Sequence, residues 1–133
     1  MNRVFADTSY YIALVGDHDQ HHAEAVALAQ VFHGLIVTTD FVLVEVGNWL
    51  SQVGDRPVFL RLLEAVGADA QTEILPATRD LFDAGCVLFA RRTDKNWSLT
   101  DCVSFAVMHQ QGLAEAFTAD HHFEQAGFKA LLR

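Results

Sequence analysis

Four acidic side chains stand in apolar surroundings where solubility does not call for them. Asp7 closes "RVFAD", Glu45 interrupts "DFVLVEVGNWL", Asp101 interrupts "SLTDCVSFAV" and Asp120 closes "AEAFTAD". An unpaired carboxylate is expensive to bury, so each needs a partner or a structural task. Tasks exist for three of them. Ser98 as an N-cap places Asp101 at N3, where a carboxylate completes a capping box and favours the helix dipole. Asp7 and Asp120 can each cap the helix that follows. Glu45 fits this reading less well. On a helix its same-face neighbours are Phe41, Val42, Asn48 and Trp49, and the segment holds no Lys or Arg. It is either a snorkelling edge residue or a group whose counter-charge is a metal ion. A set made only of carboxylates selects hard cations, Mg²⁺ or Mn²⁺, over zinc. Without metal, crowded carboxylates tend to hold protons. With it they position a water, lower its pKa and neutralise charge on a phosphoryl oxygen, which is phosphodiester hydrolysis without a side-chain nucleophile.

Acting together requires elements that bring the four to one place. Strands are expected over 3–7, 35–39, 72–76 and 114–120, with a last one in "FKALL". Helices are expected in "SYYIALV", over 22–33 with Gly34 as the stop, in "VFLRLLEAVG" opened by Pro57, over 77–92, in "LTDCVSFAVMHQQG" closed by Gly112, and in "HFEQAG". The stretch 40–52 is ambiguous because its centre is Val-rich; its length and the capping-type Asp40 favour a helix. Strands alternating with helices indicate an α/β domain around a short parallel sheet. In such sheets chemistry collects outside the carboxyl ends of the strands. Asp7 and Asp120 both end strands, and Asp101 sits in a first helical turn. If the strands are neighbours, the three carboxylates share a cleft.

The 133 residues predict one domain, 1–133, and 51% hydrophobic content predicts a filled core with apolar surface left for a partner. Nine basic residues against seventeen acidic ones leave a net charge of −8, which argues against a broad basic face for nucleic acid. It leaves room for a nuclease with a local basic patch beside a metal. Cys86 and Cys102 form no CxxC pair and no disulfide framework, so they read as core residues of a protein in a reducing compartment. No apolar run approaches the ~18 residues of a membrane span and no signal-peptide pattern opens the chain, so a cytoplasmic protein is expected.

Three further clusters are ambiguous. "RRTDKNW" sets Arg91, Arg92 and Lys95 before Asp101 with Trp97 among them. These residues can hold RNA phosphates and stack a base, or simply complement a helix C-terminus. His18, His21 and His22 have spacing that suits one helical face; a zinc site or, more simply, a solvated helix start follows. Tyr10, Tyr11, Phe41 and Trp49 read as core or interface rather than as a base-stacking platform.

"VFADTSYYIAL", Glu45 in "TTDFVLVEVGNWL", "WSLTDCVSFAV" and "FTADHHFEQAGF" resemble, in order and spacing, the four acidic motifs of the PIN domain. The resemblance covers essentially the whole chain and is closest to the VapC-type ribonuclease toxins. It implies a three-layer α/β/α fold with a short central parallel sheet. It makes Asp7, Glu45, Asp101 and Asp120 the metal-binding and catalytic quartet of a Mg²⁺- or Mn²⁺-dependent ribonuclease. Thr8, Ser9, Thr100 and Thr118 become the hydroxyl residues that arrange carboxylates and water. It also implies a homodimer and an antitoxin partner. That partner would dock along a hydrophobic groove near the active site and place a basic side chain among the carboxylates. Two departures, the acidic net charge and the pair His121–His122 after Asp120, bear on substrate affinity rather than on the quartet. Alternatives stay open. One is a PIN-like binding module without catalysis, which would show no Mn²⁺-dependent thermal shift. The other is an aspartyl-nucleophile phosphatase using Asp7, although "DTS" lacks the second Asp two residues on.

Overall fold

Strand β1 (Asn2–Ala6) is buried without alternation at Val4, Phe5 and Ala6, as expected of a parallel strand covered on both faces. The structure, a computed structural model, describes residues 2–133. The elements follow as α1 (Thr8–Val15), α2 (His22–Val31), β2 (Gly34–Thr39), α3 (Asp40–Trp49), α4 (Arg56–Ala68), β3 (Thr72–Leu75), α5 (Arg79–Arg91), α6 (Leu99–Gln111), β4 (Glu115–Phe117), α7 (His121–Gln125) and β5 (Lys129–Ala130). The five strands form one parallel sheet in the order β3-β2-β1-β4-β5. Helix α1 packs on α2 and α3, and α3 on α4, while α5 packs on α6 and α6 on α7. The right-handed rule for parallel crossovers predicts these two groups on opposite faces of the sheet. The result is the expected α/β sheet flanked by helices.

The chain order reverses beside β1, with β2 on one side and β4 on the other. In register, Ala6 lies opposite Phe117, and the Asp7 N–H donates to the Phe117 carbonyl at 3.1 Å. The carboxyl ends of β1 and β4 are therefore level at the switch point, where such sheets bind ligands. Phe5, Phe105, Phe117 and Phe123 fill the core beneath it, fully buried, with Phe105 edge-on to Phe123 at 4.8 Å between centroids.

Local chemistry accounts for the element ends. The Ser98–Asp101 capping box starts α6, and Gly112, at φ 68°, closes it in the left-handed region. Helices α5 and α6 pack tightly at Gly85, where a Cβ would stand 2.3 Å from Val103 Cγ2. Four details differ from expectation. Helix α2 ends at Val31, and Gly34 opens β2 instead of stopping the helix. The N-cap of α3 is Thr39, whose hydroxyl accepts from Val42 N; Asp40 is already helical and accepts from Ala77 N at 3.2 Å. Helix α3 ends at Trp49 rather than near 52. Strand β4 stops at Phe117, because Thr118 Oγ1 accepts from Asp120 N and turns the chain out of the sheet. Among the described residues, no helix is long and apolar enough to cross a membrane.

Candidate active site

Asp7 follows β1 as the N-cap residue of α1, but its side chain caps nothing. Instead its Oδ2 accepts from Thr118 Oγ1 at 2.8 Å and from Ser9 Oγ at 3.1 Å. Ser9 Oγ also accepts from Ala119 N at 3.0 Å and lies 3.0 Å from Thr118 Oγ1. The two hydroxyls thus lock the carboxylate from the first turn of α1 and from the loop after β4. Asp7 is 3% exposed, and burial pushes its pKa up to about 7; the nearby Asp101 and Asp120 charges add to the rise, while the Thr118 hydroxyl opposes it.

Asp101 both starts a helix and lines the cleft. It completes the capping box, its Oδ2 accepting from Ser98 N at 3.1 Å, and it faces the same cleft as Asp7. Burial raises its pKa, with Asp120 adding to the effect and the Ser98 N–H and His122 opposing it. Asp120, as N-cap of α7, accepts from His122 N at 2.8 Å through Oδ1. These hydrogen bonds fall on one oxygen each, Oδ2 of Asp101 and Oδ1 of Asp120.

His122 overturns one expectation, since it belongs to the carboxylate cluster. Its Nδ1 stands 3.1 Å from Asp101 Oδ2 and 3.4 Å from Asp120 Oδ1. The single-turn helix α7 turns the ring back between the two aspartates. With His121, the pair and Asp120 hold ligand-type atoms within 4.8 Å of one another.

A cleft of about 470 Å³ collects these groups, lined by Asp7, Thr8, Ser9, Asp101 and Asp120, with Glu45 entering from α3. Glu45 is half-buried and, among the described residues, has no hydrogen-bond or ion-pair partner. Thr8 Oγ1 is buried without a partner. Thr100 lies in the first turn of α6, half-buried, and does not line the cleft. The remaining walls are Ile12, Asp19, His21, Trp49 and Ala119, none of which stands out in the sequence as a residue of this site. Trp49 was recoverable, because it stands four residues beyond Glu45 on one helical face.

The other candidate clusters separate. His18, His21 and His22 do not share a helical face, because α2 begins only at His22. His22 Nδ1 meets the Ala13 carbonyl at 2.8 Å, His21 lines the cleft and His18 is exposed in a turn. Arg91 ends α5 in solvent. Arg92 and Lys95 lie 3.1 Å and 3.9 Å from Asp94 carboxylate oxygens, in a second cleft that shares no lining residue with the first. Trp97 is core, with Arg92 over its ring and its Nε1 donating to Gln125 Oε1 at 3.0 Å, so it is no free stacking surface.

Comparison with known proteins agrees with this architecture. The PIN domain family matches residues 4–129. The 23S rRNA-specific endonuclease VapC20 of Mycobacterium tuberculosis is 29% identical over 126 residues, covering 94% of this chain and 95% of the relative. Its crystal structure, that of a sarcin–ricin loop cleaving toxin, superposes with a TM-score of 0.86 at 26% identity, covering 94% and 95% of the two chains. FitAcB from Neisseria gonorrhoeae shares the fold, with a TM-score of 0.70 at 16% identity over 96% of this chain and 94% of its own. A match that begins within β1 and ends within β5 leaves no element of the sheet outside it, and this chain belongs to the PIN domain family.

Proposed function

We propose that this chain is a Mg²⁺- or Mn²⁺-dependent ribonuclease, the toxin of a VapBC-type toxin–antitoxin pair, folded as one PIN-like domain over residues 1–133. The observation that carries the reading is the convergence of Asp7, Asp101 and Asp120 on one cleft at the β1/β4 switch point. The likeness to an rRNA endonuclease over nearly the whole chain supports it.

The donor set suits a hard divalent cation. Burial is the main cause of the raised Asp7 pKa and the Asp101 and Asp120 charges add to it, while among the described residues no Lys or Arg lines the cleft to balance the three aspartates. Asp7, Glu45, Asp101 and Asp120 would hold the ion. Bound there, it would supply an acidified water and positive charge for a phosphoryl oxygen. The other work belongs to the chain. Ser9 and Thr118 fix Asp7 through Oδ2. His122 and Ser98 engage Asp101 through Oδ2 and leave its second carboxylate oxygen to the ion. Thr8 lines the cleft beside Asp7, and Thr100 supports the start of α6 beside Asp101. Arg91, Arg92 and Lys95 hold RNA phosphates beyond the cleft.

Partners follow from the same reading. A groove of about 720 Å³ between α3 and α4, with Val44 and Leu60 exposed along it, offers aliphatic surface for an antitoxin or a second copy. A homodimer and an inhibitor carrying an Arg or Lys into the acidic cleft are expected.

The deciding experiment is sequencing of RNA ends after incubation with the protein and Mn²⁺, with Asp7→Asn as control. New, discrete 5′ ends that depend on Mn²⁺ and vanish in the variant support the function. An RNA pool left intact by the wild-type chain refutes it.

A further inference from the structure

The two tryptophans have exchanged the roles their sequence contexts suggest. Trp97, set among cations, is 6% exposed and packs edge-on to Phe105 at 4.9 Å. Trp49, set in an apolar run, is 68% exposed and lines the carboxylate cleft. Trp49 ends α3 one turn beyond Glu45, so the indole follows the carboxylate along the same wall. Ile12 of α1 and His21 at the start of α2 line the cleft with it.

No lysine or arginine belongs to this cleft, and the chain carries a net charge of −8. A nucleic acid entering it therefore gains little from phosphate contacts with the walls. Within the cleft the walls can add adhesion mainly through bases, and an exposed indole beside the acidic end is the group suited to it, since every base offers a π-face. The aliphatic groove suited to a protein uses other residues of α3, Leu43, Val44, Gly47 and Asn48, and Trp49 is not among its walls.

We propose that Trp49 is a base-stacking platform that holds a nucleobase of single-stranded RNA next to the carboxylate end of the cleft. This rests on the ribonuclease reading and adds a residue that determines how substrate is seated.

The test uses the full-length chain with Mn²⁺ and a mixed-sequence single-stranded RNA oligonucleotide, in an Asp7→Asn background that prevents cleavage. Tryptophan emission should be quenched on binding. The quench should be absent when Trp49→Phe is added, because buried Trp97 is out of reach. Trp49→Ala should weaken RNA binding about tenfold and Trp49→Phe less. In the Asp7-intact chain, Trp49→Ala should raise KM far more than it lowers kcat and leave Mn²⁺ affinity unchanged. An abasic oligomer, with phosphates but no bases, should bind weakly and equally well to both. Unchanged RNA affinity in Trp49→Ala overturns the proposal, as does an equal loss of abasic-oligomer binding. Intact RNA affinity with loss of the dimer in light scattering overturns it too, assigning Trp49 to a protein interface. Failure of the wild-type chain to cleave any RNA sinks the ribonuclease reading separately.

Discussion

Thr118 Oγ1 donates a 2.8 Å hydrogen bond to Asp7 Oδ2, tying the residue after β4 to the residue after β1. The bond joins the two strand ends that form the switch point and favours the ionised form of a carboxylate that burial works to protonate. The proposed chemistry and the sheet pairing thus meet at one hydroxyl.

Replacing that hydroxyl by a methyl group of similar size should move Asp7 further from ionisation. In Thr118→Val the Asp7 pKa rises above its value of about 7, and the acid limb of Mn²⁺-dependent cleavage shifts to higher pH. Carboxyl-carbon NMR of the metal-free chain reads the first effect, and a pH–rate profile reads the second. An unmoved Asp7 titration would dismiss the coupling.

Asp7 also makes metal-free stability depend on pH. Its folded pKa of about 7 exceeds the unfolded value of 3.8, so its bound proton favours the folded state fully below the unfolded value. That contribution, up to about 4 kcal/mol, is lost as pH rises through the folded pKa. Asp7→Asn should abolish cleavage yet be more stable than wild type in EDTA near pH 8, with the gap closing toward pH ~4. Urea titrations at the two ends check the crossover. Asp101→Asn should likewise lose cleavage while keeping its fold, because the amide oxygen can still accept from Ser98 N.

Glu45 approaches from a different wall than the three aspartates. Glu45→Gln should weaken Mn²⁺ binding in a calorimetric titration without altering the far-UV spectrum, and less than Asp101→Asn does. Equal Mn²⁺ affinity in wild type and variant would return Glu45 to the edge of the core.

Arg92 and Lys95 line a different cleft from the carboxylates, and Arg91 ends α5 in solvent. Changing Arg91, Arg92 and Lys95 together to Ala should lower the slope of log affinity against log salt by up to about 2, at ~0.7 per phosphate contact on single strands. Mn²⁺ affinity should be unaffected. A preserved slope would limit these residues to the end of α5 and to Asp94.

Much of this was legible in the residues because local rules and global fold agree. "SLTD" reads as a capping box and forms one; Gly112 reads as a stop and takes the left-handed conformation. The alternation of elements gives the parallel sheet. What escaped depends on contacts distant in sequence. Periodicity shows that Glu45 and Trp49 share a face of α3 but not that the face borders the cleft instead of the core. His122 lies two residues beyond Asp120, yet its approach to Asp101 requires α7 to fold back onto α6. Thr39 displaced Asp40 as the cap because the Asp40 carboxylate is held by Ala77 N across the chain.

The pairing of β1 with β4 also determines when the centre comes into being. Asp7 and Thr118 are 111 positions apart, so a ribosome must deliver nearly all of the sheet before the cleft has its second wall. Such long-range closure is a late event in folding. Until then Phe5 and Ala6 lie on an open strand edge that β4 will later cover. Open edges of this kind pair readily with other chains. Nascent copies are thus expected to stick to one another most readily during the same interval in which the proposed centre is still unassembled.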